Sequence, residues 1–203
     1  MLVDSEAISN RVLSGLFNEI GLPMTPEESV EAFMGRSWKT VEAHARAALG
    51  RPLPDGFRRR YLDAMFAEFQ AELRPVPGIV DALDAIDLPS CVASSASHEK
   101  MRFTLGHTGL LDRFAGRIFS ATEVERGKPA PDLFLHAAAR MGWEPADCAV
   151  VEDSPAGVEG ALAAGMTVFG YAGRTPAERL TGARVFTEMP ELPGLLQGWA
   201  GAA

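Results

Sequence analysis

The feature that most restricts the fold is an alternation that begins after residue 75. Short apolar runs at 91–93, 117–119, 148–151, 167–169 and, more weakly, 184–186 are separated by stretches of helical patterning at 79–87, 98–108, 131–141, 155–164 and 176–181. Runs this short that are apolar throughout, without alternating faces, are what strands buried on both sides look like. Strand followed by helix, repeated, dictates an α/β fold: a parallel sheet with helices on both faces and right-handed crossovers. Ligands of such sheets bind beyond the carboxyl ends of the strands, so those ends are where chemistry is expected.

Residues 1–74 have a different texture, with no convincing strand. Ile8, Val12, Leu13, Leu16, Phe17 and Ile20 recur at helical spacing and stop at Gly21. Thr25-Pro26-Glu27-Glu28 carries the marks of a helix start, with proline at the first helical position and acids in the first turn. Further helical runs cover 37–49 and 57–73. A small helical lobe over 5–75 and an α/β core made of 76–203 plus residues 1–4 are therefore expected. The 203 residues carry a net charge of −8, which disfavours nucleic-acid binding, since phosphate backbones require a basic face. No apolar run approaches the ~20 residues of a membrane span, and the acidic start at Asp4 and Glu6 is unlike a signal peptide. A cytoplasmic protein, monomeric or weakly dimeric, is expected. Cys91 and Cys148 lie inside apolar runs at no metal or redox spacing and read as buried thiols in a reducing compartment.

Three strand ends carry polar clusters. The first run leads into Ser94-Ser95-Ala96-Ser97, whose hydroxyls and free backbone N–H groups suit an oxyanion; helix capping explains Ser97 equally well. After the second run, Gly127-Lys128-Pro129-Ala130-Pro131 presents an ammonium on a stretch stiffened by prolines, suited to phosphate. The third run ends in Glu152-Asp153-Ser154-Pro155, adjacent carboxylates that suit a hard cation such as magnesium. Ser154 and Pro155 are also ordinary helix-start residues. Together, the anion cradle, the cation and the metal carboxylate are the parts needed to hold a phosphoryl group in transfer. In the helical lobe, Arg36, Trp38 and Lys39 lie on a loop that could face an anionic sugar, or simply be solvated. His136 reads as a packed residue, and His44, His98 and His107 form no metal spacing with one another.

The segments LVDSE at 2–6, RPVPGI at 74–79, CVASSAS at 91–97, FSATEVERGKPAPDLFLHAA at 119–138 and VVEDSPAGVEGALAAGM at 150–166 are similar to the haloacid dehalogenase superfamily. The likeness is to its capped branch, which includes the sugar-phosphate phosphatases and β-phosphoglucomutase. It implies a Rossmann-like core and a helical cap that closes over a small phosphorylated metabolite. It also implies Mg2+ as cofactor, Ser94 and the backbone of Ser95 on the phosphoryl group, and Lys128 neutralising that group. Asp153 would ligate the metal, with Glu152 ligating indirectly or orienting metal-bound water. Arg36 and Lys39 would contact substrate. Ser9 stands where the mutases carry a histidine that suppresses hydrolysis, which favours a phosphatase over a mutase.

The resemblance also locates a departure. In the family LVDSE is the tail of a longer DxDG(T/V)LVDSE motif ending the first core strand, whose first aspartate becomes an aspartyl-phosphate and whose second is the general acid/base. Both would fall before Met1. A start codon assigned too far downstream, by roughly ten residues given strands of about five or six, is the expected explanation. The alternative is a phosphometabolite-binding protein without catalysis.

Overall fold

The computed structural model describes residues 1–200. Four helices build the N-terminal lobe: α1 (Glu6–Glu19), α2 (Pro26–Phe33), α3 (Trp38–Leu49) and α4 (Phe57–Glu72). The predicted start of α2 is a capping box. Thr25 Oγ1 accepts from the Glu28 amide at 3.1 Å, and the Glu28 carboxylate accepts from the Thr25 amide at 2.7 Å. The lobe has its own core, in which Phe17 stacks on Phe57 at 5.7 Å and meets the edge of Phe33 at 6.1 Å, above fully buried Met65 and Phe69. Two strands of chain tie it to the rest. The Asp4 amide donates to Arg74 O at 3.0 Å and the Val76 amide to Leu2 O at 3.1 Å, so entry and exit run antiparallel side by side.

The remainder alternates as expected: α5 (Ile79–Ala85), β1 (Val92–Ser94), α6 (His98–His107), β2 (Ile118–Ser120), α7 (Asp132–Met141), β3 (Ala149–Glu152), α8 (Pro155–Ala163), β4 (Thr167–Tyr171), β5 (Arg184–Phe186) and α9 (Leu192–Ala200). Each of the first three strands starts one residue later than the apolar runs suggest. The expected helix at 176–181 is a single 3-10 turn, Ala177–Arg179, because the few residues between Pro176 and Gly182 cannot support a helical nucleus. Helix α9 was not expected; Leu192 and Leu196 dock beside Phe169, and that burial outweighs the poor propensity of a segment carrying Pro193, Gly194 and Gly198.

All strand pairs are parallel, but they form two sheets, β2–β1 and β3–β4–β5. Side chains sort by strand alternation onto two faces. Ala93, Val150 and Val168 pack towards α7 and α8, whereas Ala149, Val151 and Phe169 pack towards α5 and α9. The helices on both faces thus continue across the gap between the half-sheets. A cavity of about 720 Å³ takes in this gap, walled there by Val92 and Ala93 of β1, Val150 and Val151 of β3, Met141 of α7 and Trp199 of α9, and extends to Ser9, Phe33 and Arg36 of the helical lobe. One edge of β1 and one of β3 face it without a ladder partner, and both strands are only half-buried although helices cover them. Cys91 and Cys148 also line this slot; both are half-buried free thiols, and burial, then the neighbouring Cys148, pushes the Cys91 thiol up to about 11. Among the described residues no helix is long and apolar enough to cross a membrane.

Candidate functional site

The carboxyl ends of β1 and β3 meet the loop after β2 at one mouth of the cavity, so Ser94, Lys128, Glu152 and Asp153 all line it. Ser94 ends β1 and its Oγ accepts from the Ala96 amide at 3.2 Å, a local turn that holds the hydroxyl at the strand end. Ser97 caps α6 through the Lys100 amide. Ser95 does something the sequence did not suggest: its Oγ donates to Gly35 O at 2.7 Å, fastening the helical lobe to the core.

Lys128 reaches across the mouth. Its Nζ donates to Ala93 O of β1 at 3.2 Å, pairs with Glu152 Oε1 of β3, and lies 4.8 Å from the ring centre of Phe134. The ammonium therefore bridges the two half-sheets, nearly fully buried at 9% exposure, where its charge is little screened. Glu152 is fully engaged within the protein. Besides Lys128, its Oε2 accepts from the Asp153 and Ser154 amides, both at 3.0 Å, and from Ser154 Oγ at 2.9 Å. It sits so close to the first turn of α8 that a Cβ at Gly157 would collide with the carboxylate, which is why glycine occupies that position. The repulsion expected between adjacent carboxylates is thereby relieved, since Glu152 turns inwards and Asp153 outwards.

Asp153 faces the cavity. Burial raises its pKa, but the Met1 ammonium, 3.0 Å from Oδ2, and Lys128 together hold it below the ordinary carboxylate value. Burial acts to lower the Met1 amine, but Asp153, helped by Glu152 and Glu6, raises it above its usual value. Among the described residues no three ligating side chains converge on a metal position, so a hard cation here would need further oxygens from water and from a bound ligand. The residues fit magnesium on those terms.

Arg36 is exposed and lines the cavity; Lys39 is exposed and is not among its walls. Gly35, in the left-handed region at φ 71°, brings the loop against Ser154, where a Cβ would come within 2.6 Å of Oγ. Trp38 stacks on Tyr61 at 5.3 Å beneath Arg58, and its indole N–H is buried without a partner. His98 and His136 each meet one oxygen of Glu123, at 2.8 and 3.2 Å, joining α6 to α7 outside the cavity. Sequence reading overlooked Lys100, in the first turn of α6, whose Nζ donates to Ser9 Oγ at 2.9 Å inside the cavity. Nothing in its local sequence distinguishes it from a solvated helix lysine.

A family model of haloacid dehalogenase-like hydrolases matches residues 2–165. The 6-phosphogluconate phosphatase of Escherichia coli K12 is 32% identical over 203 residues, covering 98% of this chain and 92% of that protein. A conserved haloacid dehalogenase-like protein of unknown function from Agrobacterium tumefaciens C58 superposes with a TM-score of 0.80 at 36% identity, covering 98% of this chain and 94% of the other. A family hydrolase from Deinococcus radiodurans R1, solved with phosphate and sodium bound, superposes with a TM-score of 0.73 at 29% identity, covering 98% and 92%. The strand-end serine, lysine and carboxylates together with these likenesses lead to one conclusion: the chain belongs to the haloacid dehalogenase-like hydrolases.

Proposed function

We propose that this protein is a magnesium-dependent phosphomonoester hydrolase acting on a small sugar phosphate. The observation that carries the reading is the convergence of Ser94, buried Lys128 and outward-facing Asp153 at the mouth of one cavity. In this reading the Ser94 hydroxyl and the backbone N–H groups after β1 hold the non-bridging phosphoryl oxygens. Lys128 offsets their charge, and Glu152 keeps its ammonium aimed at them. Asp153 holds magnesium, which when bound neutralises the phosphoryl group further. The lobe over 5–75 acts as the cap, with Gly35 and Ser95 as its point of closure and Arg36 at the substrate; it excludes water from the reacting group. Lys39, outside the cavity wall, would reach substrate only from the rim. A cytoplasmic, metabolite-handling protein without nucleic-acid or membrane partners is consistent with its acidic charge.

The nucleophile belongs in the slot. A single further strand, parallel to β1 and β3, would complete a continuous sheet, satisfy both open edges and fill the apolar gap. We infer that residues upstream of Met1 supply it and bring the two aspartates of the DxDG motif beside Ser94 and Lys128. One aspartate oxygen then attacks phosphorus as the bond to the sugar oxygen breaks and the second aspartate protonates the leaving alcohol. Water hydrolyses the aspartyl-phosphate to orthophosphate in the following step. Ser9 in place of the mutases' histidine favours water as the acceptor over a second sugar hydroxyl.

The test is the intact mass and N-terminal peptide map of the protein from its source cell, followed by orthophosphate release from a sugar-phosphate panel. A mass about a kilodalton above that of the 203 residues, an upstream DxDG peptide, and release abolished by chelating magnesium are expected. A mass matching 1–203 with binding but no release overturns catalysis and leaves a phosphometabolite-binding protein. Transfer between sugar carbons without release would identify a mutase.

A further inference from the structure

Asp153 stands between the last residue of β3, Glu152, and the N-cap of α8, Ser154, so neither element aims its side chain. Two side chains hold its peptide groups instead. The Glu152 carboxylate accepts from its amide at 3.0 Å, and Thr175 Oγ1 donates to its carbonyl at 2.6 Å. The rotamers open to a side chain follow from the backbone that carries it, so these two bonds govern where the Asp153 carboxylate points. Glu152 is itself fixed by Lys128 and Ser154. Thr175, in the loop after β4, is buried at 3% exposure and is not among the residues that wall the cavity. Its neighbour Arg174 pairs with Asp4 on the chain that enters the lobe, which anchors the loop from the other side.

The lobe also meets this hydroxyl. Met34 Sδ lies 3.9 Å from Thr175 Oγ1. A hydroxyl has one proton to give and a thioether is a weak acceptor, so the short bond to Asp153 O keeps the proton. The methionine therefore packs over the bond and shields it from water. Met34 precedes Gly35, which abuts Ser154 and accepts from Ser95, so one loop of the lobe touches the core on both sides of Asp153. We propose that Thr175 is a positioning residue that aims the Asp153 carboxylate at the cation, and that Met34 makes this aim depend on docking of the lobe. This rests on the phosphatase reading, in which Asp153 takes magnesium, and adds a coupling between lobe closure and metal affinity. With Met34 in place the hydroxyl–carbonyl bond sits in a low-dielectric setting and is strong; with the lobe lifted, water competes for both partners and the bond weakens.

The experiment measures magnesium and orthophosphate dissociation constants separately by calorimetry, on the protein expressed at the length found in the cell. Orthophosphate is titrated with magnesium chelated. Thr175→Val keeps the shape of the side chain and removes the donor. It should weaken magnesium roughly 10-fold, the low end of what losing a partner that orients a metal ligand costs, and leave orthophosphate unchanged. Thr175→Ser, which keeps the hydroxyl, should bind magnesium as the parent does. Thr175→Ala supplies the same comparison if thermal melting shows that the valine variant does not fold. Met34→Ala should weaken magnesium by a smaller factor in the parent, and by no further factor in Thr175→Val, where the bond it shields is already gone. Unchanged magnesium affinity on removing the hydroxyl overturns the positioning role. So does a loss that serine also suffers, or one that extends equally to orthophosphate; the phosphatase reading survives each of these results. Fully additive losses from Met34 and Thr175 overturn the link to the lobe. Failure of the parent protein to bind magnesium overturns the metal assignment of Asp153 and this inference with it.

Discussion

Gly35 packs the helical lobe against Ser154 and Ser95 of the core, and replacing it with alanine separates two costs that usually arrive together. The first is conformational: Gly35 sits at φ 71°, where a side chain costs about 1–2 kcal/mol. The second is steric and depends on the lobe being docked. The new Cβ would stand 2.6 Å from Ser154 Oγ, so the loop must retreat by about 0.8 Å to reach the 3.4 Å of an ordinary contact. That movement stretches the 2.7 Å hydrogen bond from Ser95 Oγ to Gly35 O, worth about 0.5–1.5 kcal/mol. Gly50 supplies the control, since it has nearly the same backbone, φ 67°, with nothing within 4 Å of a Cβ. Gly50→Ala should therefore lose about 1–2 kcal/mol in urea unfolding and keep its ligand affinity. Gly35→Ala should lose a similar amount of stability and, in addition, bind a hexose phosphate roughly 2- to 10-fold more weakly, as the lost hydrogen bond converts at 1.4 kcal/mol per decade. Equal affinities in calorimetric titration of the two variants would refute the docked loop as a determinant of binding.

Breaking the buried Lys128–Glu152 pair with Lys128→Met should destabilise the fold by about 3–5 kcal/mol in urea, because it leaves a buried carboxylate without its cation. Adding Glu152→Gln should recover part of that loss, and strictly additive losses would show that the two charges are not coupled. With the Cys91 thiol held at about 11 against an ordinary 9.0, its thiolate at pH 8 is about 100-fold scarcer than in the unfolded chain. Labelling by a disulfide reagent should be slowed by about that factor; equal rates in folded and urea-unfolded protein would contradict the burial of the slot.

Much of this architecture was legible before any coordinates. Apolar runs and helical periods are local patterns, so the strands, most helices and the boundary near residue 75 follow from neighbours in sequence. So does the placement of Ser94, Lys128 and Asp153, because a strand end is a local event and parallel topology gathers strand ends at one edge. What no local pattern could convey is which partners each polar group finds across the fold. Glu152 and Asp153 are adjacent in sequence, yet one turns inwards to Lys128 and Ser154 and the other faces the cavity. Ser95 fastens the lobe rather than simply lining a cradle, and Lys100, an ordinary helix lysine by its neighbours, ends between Ser9 and Phe69. Helix α9 exists because Leu192 and Leu196 find Phe169, some 25 residues earlier in the chain. The slot between β1 and β3 likewise emerges only when strands distant in sequence take their places beside one another. Sequence alone determined the elements and the chemistry available at their ends; tertiary structure decided which charges are paired, which are left facing the cavity, and where the sheet stands open. Those outcomes depend on desolvation and contact between segments far apart along the chain, quantities that exist only once the chain has folded.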